Sequence, residues 1–172
     1  MEKVIQVLNR MQADGVIEKF AIGGGIAAIY YLEPYQTDDI DVFILPVVVG
    51  ESGLVSLGSI YDYLENLGYH PVKEGVLIED WVVQFVPAFK SVQEEAVAQA
   101  EHVAYGETHT LLFSAEHLAA ELLRSGRPKD YARVIALIES EQVDMMLFRD
   151  IISRHDLAKK WKEFAARFDL EE

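Results

Sequence analysis

The chain has 172 residues, half of them apolar, which suits one domain or a core with a helical appendage. Its net charge of −14, with 15 cations against 29 acids, argues against genome-scale DNA binding, which usually needs a basic patch. There is no cysteine, hence no disulfide and no thiolate metal site, and no apolar run approaches the ~20 residues that span a membrane. The N-terminal stretch MEKVIQVLNRM is amphipathic and unlike a signal peptide, so a cytoplasmic location without membrane contact is expected.

In chain order, Val4, Ile5, Leu8 and Met11 share one helical face, and Gly15 breaks that helix. Val16 to Ile22 reads as a first strand. Gly24 to about Leu32 reads as a helix whose end is marked by Pro34, and Ile40 to Leu45 as a second strand. Ser52-Gly53 opens a helix carrying Leu57, Ile60, Tyr61, Leu64 and Leu67, stopped by Gly68 in the position glycine favours after a helix. Extended segments follow at His70–Lys73, Gly75–Ile78 and Trp81–Val86, the last ended by Pro87, with a hairpin turn at Glu79-Asp80. Val92 to about Glu101 is a short acidic helix, and His102–Tyr105 and Thr108–Phe113 form a strand pair around Gly106.

From Ser114, a predicted N-cap, the chain is helical. Leu118, Leu122 and Leu123 line the first of these helices. Pro128 opens the next, with Tyr131, Val134, Ile135 and Ile138 inward. Asp144 caps a third with Leu147, Phe148, Ile151 and Ile152 inward. Leu157, Trp161, Phe164 and Phe168 mark the last. The expected division is an α/β core over 1–113 and a helical region over 114–172. The late cations, from Arg124 to Arg167, read as solvated helix faces before they read as a basic surface. The five histidines show no metal-binding spacing and read as structural or surface residues.

The segment AIGGGIAAIYYLEPYQTDDIDVFIL, Ala21 to Leu45, carries the chemistry. Asp39 and Asp41 flank Ile40, and side chains alternate along a strand, so both carboxylates point one way and Ile40 the other. Such a pair repels unless a cation lies between its members. Hard oxygen ligands of this kind suit Mg²⁺ shared with substrate phosphates. The glycines Gly23–Gly25 open a helix, where backbone N–H groups can meet a phosphate, or they simply let that helix pack close. Asp38 is expected to face away from Asp39.

Ile22-Gly23-Gly24 followed by Asp39-Ile40-Asp41-Val42 resembles the nucleotidyltransferase superfamily related to DNA polymerase β. Thr37 completes its Thr-x-Asp-Ile-Asp form. Within it, the chain is most similar to a small bacterial branch that contains the AbiEii-type toxins. Gly126-Arg127-Pro128-Lys129-Asp130 is like that branch's Gly-Arg-x-Lys-Asp segment. The resemblance implies a mixed sheet flanked by helices, with a C-terminal helical region. It further implies that Asp39 and Asp41 hold Mg²⁺ or Mn²⁺, and that a third carboxylate on the next strand completes the site. That third position, by alternation along Trp81–Val86, is Gln84, which has no charge and cannot act as a base. Glu79 or Asp80 swinging in from the turn are alternatives for the third carboxylate, and Asp130 for the base role. Gly23, Gly24, Thr37, Arg127 and Lys129, with Arg133 at lower weight, are the expected nucleotide contacts. Lys129 and Asp130 equally fit a plain helix start, where an anion is favoured.

The function so implied is Mg²⁺-dependent transfer of a nucleoside monophosphate from an NTP to a hydroxyl on RNA, protein or a small molecule. Members of the branch include toxins paired with an antitoxin protein and enzymes that modify tRNA ends. The alternative is a non-catalytic nucleotide-binding or protein-interaction member of the same fold.

Overall fold

A computed structural model describes residues 1–32, 37–45 and 57–170. Its elements are α1 (Glu2–Ala13), β1 (Lys19–Ile22), α2 (Gly24–Tyr31), β2 (Asp39–Leu45), α3 (Gly58–Asn66), β3 (Pro71–Val72), β4 (Gly75–Ile78) and β5 (Trp81–Pro87). They continue with α4 (Ser91–Ala98), β6 (Glu101–Tyr105), β7 (Thr108–Leu112), α5 (Ala115–Ser125), α6 (Pro128–Glu139), α7 (Met145–Arg154) and α8 (Ala158–Phe168). Among the described residues seven strands form one mixed sheet in the order β3-β4-β5-β2-β1-β7-β6. β2 runs antiparallel to β1 and parallel to β5, and β7 runs parallel to β1. β2 thus sits in the middle of the sheet.

The apolar periodicities build this arrangement. Val4, Ile5, Leu8 and Met11 are fully buried, and α1 packs on β1 and β7. α2 packs on β2, and α4 on β1 and β2. α5 is buried along Ala115–Leu123 and packs against α2, α4, α6, α7 and α8, so it joins the sheet's helices to the later ones. Ser114 caps α5 by accepting from the His117 N–H, and Asp144 caps α7 by accepting from the N–H groups of Met146 and Leu147. Among the described residues no helix is long and apolar enough to cross a membrane.

Several boundaries differ from the sequence reading. β1 begins only at Lys19, because the Val16 and Ile17 N–H groups fold back to the Met11 carbonyl and close the end of α1. α4 stops at Ala98, because Glu101 already pairs with Leu112 at the start of the β6–β7 hairpin. On α6 the buried residues are Asp130, Val134 and Leu137, while Tyr131, Ile135 and Ile138 are half-buried. Leu147 is exposed, since the capped first turn of α7 turns it outward and Phe148 inward. Pro34 and the Ser52-Gly53 helix start lie outside the described residues.

One polar cluster ties α4, α5 and α7 together around Glu95. Glu95 Oε1 lies 3.2 Å from His117 Nε2, and Oε2 lies 2.8 Å from His155 Nε2. A carboxylate only accepts, so each imidazole donates from Nε2. In the neutral rings Nδ1 then accepts from a hydroxyl: Ser114 Oγ at 2.9 Å from His117 and Ser91 Oγ at 2.8 Å from His155. Arg154 donates to Glu95 as well, and to Asp150 at 2.8 Å. With the hydrogen bond from Arg154 as the main cause, helped by those from His155 and His117, the Glu95 carboxyl is pulled down to about 2. Burial pushes His117 below the ordinary histidine value.

Candidate active site

The two aspartates of β2 open onto one cleft of about 530 Å³, also lined by Gly25, Thr37, Gln84, Arg127, Lys129 and Arg133. Ile40, between them, is fully buried on the opposite face. Asp41 stands in register with Gln84 on the parallel neighbour β5, which brings the amide to the carboxylate pair. Gln84 Nε2 donates to Asp39 Oδ2 at 3.1 Å, and Thr37 Oγ1 donates to Asp39 Oδ1 at 2.9 Å. Asp39 is therefore held from both sides, with one lone pair on each oxygen still open.

Asp41 is held differently. The Gly23 N–H donates to its carbonyl at 3.0 Å, and the Gly25 N–H donates to its carboxylate. The start of α2 is thus turned on Asp41. The glycine run is needed for this approach. Gly24 has φ +54, and a Cβ there would lie 1.8 Å from Asp41 Oδ2. A Cβ on Gly25 would lie 2.7 Å from the Thr37 hydroxyl. Burial first, and then the charge of Asp39, push Asp41 above the ordinary carboxylate range. The charges of Arg127 and Lys129 and the Gly25 N–H only partly offset this.

The cationic wall comes from the turn into α6. Arg127 is the N-cap residue and Pro128 the first residue of that helix, so Lys129 falls in its exposed first turn. Asp130 is 0% exposed. Its Oδ2 accepts from Ser125 Oγ at 2.5 Å and Arg127 Nε at 2.6 Å, and its Oδ1 lies 3.5 Å from Arg133 Nη1. Asp130, an alternative for the base role, sits behind the arginines and pairs with both, because an i,i+3 spacing puts both within its reach.

Other expectations move as well. Asp38 lines the same cleft, since it precedes β2 and strand alternation does not govern it. Glu79 and Asp80 occupy the β4–β5 turn, exposed, with Glu79 hydrogen-bonded to Tyr69. The acid that reaches the cleft from this hairpin region is Glu74, on the β3–β4 turn. Beyond Asp41 a second cavity of about 420 Å³ shares Asp41, Gln84 and Arg127 with the first, and adds Gln93, Glu121 and Arg124. None of these last three was a sequence candidate for the site's chemistry. Their signal is faint: Glu121 stands in AEHLAAELL, whose alanines mark a helix packed on more than one side.

Compared with solved structures, the chain is similar to an antigenic nucleotidyltransferase-like protein from Paracoccidioides brasiliensis. That likeness has a TM-score of 0.56 at 16% identity and covers 92% of this chain and 90% of that one. It is also similar to ANT(2″)-Ia in complex with adenylyl-2″-tobramycin, with a TM-score of 0.48, 18% identity, and 96% and 97% of the two chains covered. A third likeness is to the Megavirus polyadenylate synthase, with a TM-score of 0.45, 14% identity, and 82% of this chain and 31% of that one covered. No family model matches the chain, and no curated protein matches it by sequence. The first likeness establishes a nucleotidyltransferase-like fold.

Proposed function

We propose that the chain transfers a nucleoside monophosphate from an NTP to a hydroxyl acceptor. The observation that carries this reading is the single cleft in which two same-facing carboxylates oppose Arg127, Lys129 and Arg133. Triphosphates need cations, and the metal they carry needs hard oxygen ligands. The donor set fits Mg²⁺ or Mn²⁺: two same-facing carboxylates in one cleft, one of them raised by burial and by its neighbour's charge. A divalent ion held by Asp39 and Asp41 would supply charge neutralisation at the phosphates and at the leaving oxygen.

The chain's own residues do the rest. Thr37 and Gln84 fix the rotamer of Asp39, and Gly25 fixes that of Asp41. Arg127 and Arg133, held by Asp130, and the exposed Lys129 face the phosphates. The role of toxin with an antitoxin-like partner, and of tRNA as acceptor, follow from the sequence resemblance and belong to this proposal.

A second reading is favoured by one observation: the place of the third carboxylate holds Gln84, whose amide donates to Asp39. On that reading the cleft binds nucleotide without turnover. Calorimetry with ATP, GTP, CTP and UTP, with and without Mg²⁺, tests binding. Transfer of label from α-³²P-NTPs to tRNA, protein and glycerol tests turnover. Mg²⁺-dependent binding without transfer selects the second reading, and no binding rejects both.

A further inference from the structure

The third carboxylate of such a site has two tasks, as metal ligand and as proton acceptor. The Gln84 carbonyl oxygen can serve the first; an amide cannot serve the second. Among the described residues no three acids or histidines stand close enough to hold one metal. The proton task needs no metal contact, only a carboxylate that faces the attacking hydroxyl.

The position of that hydroxyl follows from the displacement geometry. Attacking and leaving oxygens lie roughly in line across the phosphorus. The cations Lys129 and Arg133 line the first cleft, so pyrophosphate leaves on that side. The hydroxyl must then approach from the other side of Asp41, which is the second cavity. Its carboxylates are Asp41 and Glu121, and Glu121 is only 8% exposed.

We infer that Glu121 of α5 is the catalytic base that takes the proton of the acceptor hydroxyl, an inference that rests on the nucleotidyl-transfer reading above. Glu121 Oε1 accepts from Gln93 Nε2 at 2.9 Å and Arg124 Nη2 at 2.8 Å, and Oε2 accepts from Arg124 Nε at 2.6 Å. A carboxylate offers about four lone-pair sites, so one on Oε2 stays open. Arg124 pairs with the group from one side, and the buried Gln93 from α4 fixes its rotamer from the other. In the step, the acceptor O–H bond breaks and its proton passes to Glu121 Oε2. The oxygen bonds to the α-phosphorus. The bond from that phosphorus to the bridging oxygen breaks, and its electron pair leaves with pyrophosphate. Glu121 then returns its proton to solvent.

The experiment uses the whole chain with Glu121→Gln and Glu121→Asp. It measures ATP binding in Mg²⁺ by calorimetry and transfer from α-³²P-ATP to tRNA and to glycerol across a pH series. Glu121→Gln is expected to bind ATP within about twofold of wild type while transfer falls about 100-fold, with the acid limb of the pH profile gone. Transfer by Glu121→Gln within about threefold of wild type, with the limb intact, overturns the inference and leaves the nucleotidyl-transfer reading standing. Absence of ATP binding or of transfer in wild type overturns both. If Glu121→Gln does not fold, Glu121→Asp decides: it keeps the charge but withdraws the oxygens by one methylene, so kcat must fall more than about tenfold with KM for ATP unchanged.

Discussion

Two of the charge clusters among the described residues treat carboxylates in opposite ways. Around Glu95 every acidic oxygen meets a cation or a histidine N–H, and the carboxyl is pulled down to about 2. Around Asp39 and Asp41 two acids face one another, the hydrogen-bond donors are neutral groups, and Asp41 is pushed up. The first arrangement contributes stability, because each charge is compensated inside the protein. In the second, Arg127 and Lys129 only partly offset the repulsion between the two acids. That contrast points to the function more directly than the shape of either cavity does.

The sharpest way to break the contrast is to remove the repulsion. Asp41→Asn should abolish transfer of label from NTP. It should leave the melting temperature unchanged or higher without Mg²⁺, because it relieves the repulsion from Asp39. A fall in melting temperature would place Asp41 with the compensated charges. Gly24→Ala should come next. The added methyl meets the Asp41 carboxylate and the backbone sits at positive φ, so Mg²⁺-dependent nucleotide binding is lost and stability falls by about 1–2 kcal/mol, read by urea unfolding.

The stabilising cluster answers to pH. Glu95 lies below its ordinary 4.5 in the folded chain, so the folded state holds fewer protons than the unfolded state between pH 4.5 and about 2. Its contribution is complete above that window and is lost as pH falls through it. For Asp41 the sign reverses: the folded state holds the extra proton, and acid relieves the strain. Glu95→Gln should therefore cost about 2 kcal/mol at pH 7, less near pH 2, and leave ATP affinity unchanged. An equal cost at both pH values would mean that packing, not charge, holds the cluster. The smallest effect is expected from Gln84→Asp. It trades a donor to Asp39 for a third acid and should lower stability by about 1 kcal/mol without Mg²⁺, with the loss recovered on adding Mg²⁺ and transfer raised. If Glu121 already serves as base, that gain in transfer will be small.

The aspartates were legible because strand alternation is a local rule, and β2 obeys it from Asp39 onward. Gln84 was legible for the same reason, once β5 was known to lie beside β2. Asp38 misled because it lies just before the strand, where the rule has no force. Asp130 carries a charge and stands in a helix's first turn, a place that usually faces water. Its burial comes from the crossing of α5 and α6, which no spacing in the sequence encodes. Glu121 shows the same gap, since its partner Gln93 is 28 residues away on another helix. Elements could be read from their own residues, whereas the second cavity exists only where α4 and α5 meet β2 and β5.

Lys160 of α8 donates to the Arg124 carbonyl at 2.7 Å, and its ammonium packs beside Gly126. The elbow between α5 and α6, which carries Arg127 and Lys129, is thus braced from the last helix. During synthesis the ribosome releases Asp39, Asp41 and Gln84 first, the cations later, and their brace last. At roughly 5–20 residues per second, the nascent chain spends several seconds with its acidic half made and its phosphate-facing half unsupported. Translation itself orders the assembly, and the brace on the α5–α6 elbow arrives only with residue 160.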